Sequence, residues 1–246
     1  MERIAKIVLF LAGIGVTVAY IWAPPAKNFP VPEAAKIMFF HVPPAMLCTA
    51  FFLWGAIMGG RYLMTKDIRF DIRSLAAIEI GTLLVILATL TGMIFAKMQW
   101  GAFWEWDPRQ VLILLQLLIY LAYFALRTSI AERQRAAIVS AGYSIFAFLT
   151  VPFLIWALPR IPPFATQSRH AGANEAVVGG GLDPTYRIIF YSTLIVVFFA
   201  FALAYRLRVR EAEISYAWEA ADELDSRSDS AATSRVVGAV RLRDKD

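Results

Sequence analysis

The chain has 246 residues, is 59% hydrophobic and only 17% charged, and carries a formal net charge of +5, with a mean hydropathy of +0.59. Soluble domains run at roughly 45–50% apolar and about 25% charged, so this composition points to a polytopic membrane protein. The basic residues gather at the ends of apolar segments, which argues against nucleic acid as a partner. The single cysteine excludes an intrachain disulfide or a CxxC motif, and the lack of a phosphate-binding loop speaks against an ATPase.

Six apolar stretches are long enough to cross a bilayer, which takes about 20 residues each. The first runs from about Ala5 to Ala23. Its basic start resembles a signal peptide, but Trp22-Ala-Pro-Pro25 is a poor cleavage site, so a retained helix is expected. A proline-rich loop follows, then Ala35-Lys-Ile-Met-Phe-Phe-His41-Val-Pro-Pro44 leads into the second helix, about Pro44 to Met64. The third helix is expected from about Leu75 to Ala96, the fourth from Pro108 to Leu126 and the fifth from about Ala136 to Leu158. A second long loop holds Pro159, Pro162, Pro163, His170 and Gly179 to Gly181. The sixth helix, opened by Asp183-Pro184, runs to about Tyr205. Cys48 lies in an apolar run and is most simply a small core residue. The expected fold is therefore an all-α polytopic membrane protein of six transmembrane helices with a tryptophan-rich segment on its outer face.

Charge orients it. Arg3, Lys6, Arg61, Lys66, Arg69, Arg73, Arg127, Arg133, Arg135, Arg206, Arg208 and Arg210 fall on one side, 12 basic residues. Lys27, Lys36, Lys97, Arg109, Arg160, Arg169 and Arg187 fall on the other, 7 in all. The first side is cytoplasmic by the positive-inside rule, with both termini inside. Residues 1–210 form the membrane domain. Residues 211–246, with 9 acids and 5 bases, form a cytoplasmic tail that starts helix-like and ends as a disordered, solvated segment.

The most distinctive stretch is Trp100-Gly-Ala-Phe-Trp-Glu-Trp-Asp-Pro-Arg109, which holds three of the seven tryptophans. Wound as a helix, it would put Trp100, Phe103, Trp104 and Asp107 on one face, a flat aromatic platform with a carboxylate at its end. Asp107-Pro108 reads as an N-cap and N1 proline. The plainer alternative is an interfacial aromatic belt, which does not call for Gly101, Asp107 and Arg109 among its rings.

On this topology the aromatic stretch and both histidines, His41 and His170, lie on the outer face. Two imidazoles and an aromatic shelf could ligate a haem iron axially and stack its ring. They make a poor zinc site without cysteine or nearby outer carboxylates. His41 could instead cap a helix beside its prolines, and His170 could be an ordinary loop residue. Arg109, Arg160, Arg169 and Lys97 could meet propionates or merely snorkel. Glu79 is a functional candidate within the membrane, or the partner of a cytoplasmic arginine. No nucleophile set for hydrolysis is present.

The stretch from Trp100 to Arg109 resembles the tryptophan-rich WWD signature of the haem-handling family of cytochrome c biogenesis. The six-helix length, Phe40-His-Val-Pro-Pro-Ala45 and Gly181-Leu-Asp-Pro-Thr-Tyr-Arg187 are similar to its CcmC branch. The resemblance covers about Ile37 to Tyr205. It implies a bacterial inner-membrane protein that holds haem, as haem b, at the outer face through two axial histidines and the WWD segment. It also implies delivery to the haem chaperone CcmE, with the ABC-transporter subunits CcmA and CcmB and the small subunit CcmD as partners. His41 matches the first ligand, and Trp100, Gly101, Trp104, Trp106, Asp107 and Arg109 match the signature. Phe103 stands where tryptophan is usual. His170 is the remaining candidate for the second ligand, although its register is displaced from the prolines.

Such a chain delivers a cofactor and is not itself an enzyme. Two alternatives from other classes are a cytochrome c synthetase subunit of the CcsA or CcmF kind, and a bis-histidine electron-transfer subunit. The short length and lack of a large outer domain count against the first. Placement of one histidine in a loop counts against the second.

Overall fold

A computed structural model describes residues 2–25, 29–170 and 183–243, with side chains at 6–25, 29–170 and 183–222. Lys27 and Gly179 to Gly181 lie outside the described residues. Among the described residues there is no β-strand. The helices are α1 (Glu2–Trp22), α2 (Met38–Thr65), α3 (Ile68–Trp100), α4 (Pro108–Thr128), α5 (Arg133–Val151), a short α6 (Phe164–Gln167) and α7 (Pro184–Arg243). A 3-10 turn at Ala34–Ile37 runs into α2, and a π-helical turn, Pro152–Ala157, prolongs α5. Among the described residues five segments are long and apolar enough to cross a bilayer: Ala34–Thr65, Ile68–Trp100, Pro108–Thr128, Arg133–Arg160 and Pro184–Asp222. Within α1 the apolar stretch Lys6–Trp22 is shorter. The chain is an all-helical, multi-pass membrane protein.

Local chemistry sets the helix ends. Asp67 caps α3 by accepting from Arg69 N–H at 3.0 Å, and Asp107 caps α4 by accepting from Arg109 N–H at 2.9 Å, with Pro108 as the first helical residue. Helix α2 begins six residues before the expected start, so His41 sits inside its first turns. Pro43 and Pro44 lie inside this helix, past its first turn, where each removes a backbone hydrogen bond.

The core is aromatic and close-packed. Phe52 of α2 stacks on Tyr120 of α4, with ring centroids 3.5 Å apart and planes 4° from parallel. Small residues let the helices approach. A Cβ at Gly81 would lie 2.6 Å from Phe52, and one at Gly59 would lie 2.6 Å from Ser144 Oγ. A second cluster joins Ala23, Met38, Phe39, Tyr186, Ile189 and Phe190. At the end of the bundle that holds the α3–α4 helical termini near Asp71, Arg127 binds that carboxylate through two hydrogen bonds of 2.8 and 2.6 Å. At the opposite end Gln99 clasps the backbone of Val31 in both directions, at 3.0 and 2.9 Å, and so ties the first long loop to α3.

Two compact units divide between Tyr205 and Arg206. The backbone of residues 206–243 is helical.

Candidate functional site

The start of α2, the end of α3, the start of α4 and the turn after α5 meet at one end of the bundle. Between them lies an open cleft with a volume of about 140 Å³. Its polar lining comes from His41, Thr89, Arg109, Gln110 and His170. Trp104, Leu154 and Ile155 are among its apolar walls. The two histidines of the chain, 129 positions apart, thus face one space.

Each imidazole is held through the same nitrogen by a different acceptor. His41 Nδ1 lies 3.0 Å from the Ala88 carbonyl oxygen and 3.3 Å from Thr91 Oγ1. A carbonyl can only accept, so Nδ1 carries the hydrogen and Nε2 keeps its lone pair. The ring rests against Gly92, where a Cβ would stand 2.7 Å from His41 Cε1. His170 Nδ1 lies 3.0 Å from Asp107 Oδ1. Phe95 packs beside both rings, with centroids 6.3 Å from His41 and 6.4 Å from His170, and Trp100 meets His170 edge-on at 4.7 Å.

Asp107 does more than cap α4. Its buried carboxylate also accepts from Ser168 Oγ at 3.0 and 3.2 Å and from Arg169 N–H at 2.6 Å. These bonds tie the loop after Pro163 to the start of α4, and His170 reaches the lining of the cleft. Burial would push the Asp107 carboxyl up; the hydrogen bond and charge of His170, with the Arg109 and Arg169 backbone donors, outweigh it and hold the pKa down to about 2.

The flat aromatic platform does not form. Gly101, at φ +94°, ends α3 in a left-handed cap whose N–H donates to Lys97 O. The next residues are irregular, and Trp106 takes φ +55°. The rings consequently point different ways. Trp104 lines the cleft, and Trp100 packs on His170. Phe103 is half exposed beneath the Lys97 ammonium, and Trp106 is 75% exposed, edge-on to Trp104. Gln110 holds this loop from below, accepting from Glu105 N–H at 2.9 Å and donating to Phe103 O at 3.2 Å.

Among the basic candidates, Arg109 lines the cleft, and its buried Nε has no hydrogen-bond partner. Arg169 pairs with Glu105 at 3.0 Å. Lys97 donates to Gly101 O at 2.8 Å. Arg160 donates to Trp156 O and lies over the Trp156 ring. Among the described residues no three His, Cys, Asp or Glu side chains gather as a metal-ion site. Two imidazoles suit a metal that brings its other ligands with it, as porphyrin iron does.

The sequence profile described as "CcmC: Heme exporter protein C" matches residues 1–218. The chain belongs to the CcmC family. A heme exporter protein C of Bradyrhizobium diazoefficiens is 31% identical over 173 residues, which are 69% of this chain and 62% of that protein. The alignment therefore spans a little under two thirds of that relative. Another, from Paracoccus denitrificans, is 29% identical over 180 residues, 71% of each chain. A cytochrome c biogenesis protein CcsA of Synechococcus is 34% identical over 80 residues, 32% of this chain and 26% of that one.

Sequence reasoning passed over Gly92, Ser168 and Gln110. The small-residue run Ala88-Thr-Leu-Thr-Gly92 carried a signal, since small residues on an apolar helix mark close approach. Ser168 and Gln110 carried none, because their partners are set by loop geometry.

Proposed function

We propose that this chain is a haem-handling subunit of cytochrome c biogenesis that takes haem b into the cleft between His41 and His170. The observation that carries this reading is that both histidines of the chain line one cleft, each with Nδ1 occupied, which leaves Nε2 for iron. Arg109 supports it, because a buried guanidinium nitrogen without a partner suits a propionate. Trp104 and the aliphatic wall offer apolar contact to the ring. Of the WWD residues, Asp107 and Trp100 act on His170, Gly101 turns the chain, and Phe103 and Trp106 face outward.

The names of the relatives favour haem delivery and an export system. In this reading six helices span the inner membrane, both termini are cytoplasmic, and the cleft opens on the outer face. The haem chaperone CcmE receives the haem, and CcmA, CcmB and CcmD complete the complex. The 12-to-7 basic asymmetry supports that orientation. The CcsA match is far shorter than the family match, so delivery is preferred to thioether synthesis.

The test is the visible spectrum of the full chain, purified from membranes after co-expression with a haem source. A low-spin haem is expected. His41→Ala and His170→Ala should each lose haem or turn it high-spin. An unchanged spectrum in both variants refutes the ligation. A reporter fused after Trp104 that is active only in the cytoplasm refutes the orientation.

A further inference from the structure

The two imidazoles are held by unequal partners. His41 Nδ1 meets neutral oxygens, a backbone carbonyl at 3.0 Å and a hydroxyl at 3.3 Å, while His170 Nδ1 meets a buried carboxylate at 3.0 Å. Hydrogen bonds to an ionised acceptor are shorter and roughly twice as strong as neutral ones. A carboxylate on the far nitrogen of a ligating imidazole also raises the basicity of the near one. The supporting structure differs in the same sense. Asp107 is fixed by four further contacts, to Ser168 Oγ through both oxygens and to the N–H groups of Arg169 and Arg109. His41 rests on its two neutral acceptors and against Gly92, where a side chain would crowd the ring.

We infer that Asp107 makes His170 the stronger and His41 the weaker of the two iron ligands, so that haem leaves the cleft by releasing His41 first. This rests on the bis-histidine reading above. The bond that breaks is iron to His41 Nε2. The electron pair stays on that nitrogen, Nδ1 keeps its hydrogen, and no electron or proton is exchanged. The iron then keeps His170 and has one position open to an incoming ligand. Asp107 is a positioning residue: it acts on iron only through His170.

The experiment uses the full chain loaded with haem, and reads dissociation into excess haem scavenger together with the midpoint potential. Asp107→Asn keeps the size of the side chain and one capping oxygen, but removes its charge and the second acceptor that Arg169 N–H uses. Loss of such an outer-shell partner costs about 10–100-fold in metal affinity. In the His41→Ala background, where His170 alone holds the iron, Asp107→Asn should speed dissociation about tenfold or more. In the His170→Ala background it should change little. His41→Ala should retain more haem than His170→Ala. Alone, Asp107→Asn should raise the midpoint potential, because a less basic ligand favours ferric iron less. Ser168→Ala, which loosens the same loop but leaves the charge, should not raise it.

Equal acceleration in both backgrounds overturns the inference, as does an equal rise in potential for Ser168→Ala. Loss of all haem in both single-histidine variants also overturns it, since the ligands would then be equally indispensable. If haem binding survives removal of both histidines unaltered, the bis-histidine reading itself has failed, and that result is distinct from the others.

Discussion

Gly92→Ala tests the seat of His41 with a single methyl group. A Cβ at this position would lie 2.7 Å from Cε1 and 3.2 Å from Nδ1 of His41, whereas ordinary contact begins at 3.4 Å. The ring must therefore retreat by about 0.7 Å. Such a retreat takes Nδ1, now 3.0 Å from Ala88 O, to about 3.7 Å, beyond hydrogen-bond range. The local cost is about 0.5–1.5 kcal/mol for the lost bond and about 1–3 kcal/mol for overpacking. Alanine in a helix interior recovers only roughly 0.5–1 kcal/mol against glycine, so displacement of the imidazole wins. The assay is the haem-to-protein ratio of the purified chain, read with its spin state. Occupancy should fall about tenfold or more, as an outer-shell loss implies, and residual haem should resemble that of His41→Ala. Gly142→Ala is the control, since nothing lies within 4 Å of its Cβ position. A Gly92→Ala protein with wild-type haem content and spectrum would refute the reasoning.

Arg109→Met should weaken haem retention several-fold with the spectrum of the remaining haem unchanged, whereas Arg169→Ala, which breaks a half-exposed pair with Glu105, should leave retention unchanged; equal losses would remove Arg109 from the site. Asp71→Ala leaves Arg127 buried without its partner, at a cost of about 3–5 kcal/mol, and Asp71→Leu with Arg127→Met should recover most of it; thermal unfolding in detergent decides, and equal destabilisation of both proteins would contradict the pairing. The Asp107 carboxyl is held down from 3.8 to about 2. A depressed carboxylate pKa contributes stability in full above the unfolded value and loses it as pH falls through the folded one. The His170 loop should thus loosen between about pH 4 and pH 2, by about 2 kcal/mol, and hydrogen exchange at the Arg169 amide, which donates to Asp107, should lose protection over that interval; protection that persists below pH 2 would count against it.

What could be read from sequence depended on how far apart the interacting groups stand along the chain. Apolar runs report bilayer-length helices because desolvating the backbone requires helix over that whole length, and the Asp107-Pro108 cap involves neighbours two residues apart. The resemblance carried by Trp100 to Arg109 and by His41 led to the family that residues 1–218 match. The aromatic platform failed for a local reason: a 3.6-residue period was carried through Gly101, whose left-handed backbone ends the helix.

The partner of His170 was beyond sequence alone. Asp107 and His170 stand 63 residues apart, and no periodicity links a helix cap to a loop imidazole. Their contact arises only when α4 and the loop after Pro163 come together at the same end of the bundle. The same holds for Gly92, whose role is to leave room for a ring 51 residues earlier in the chain. A side chain's own chemistry is written in the sequence, but the space around it and the acceptor on its far nitrogen belong to the packing.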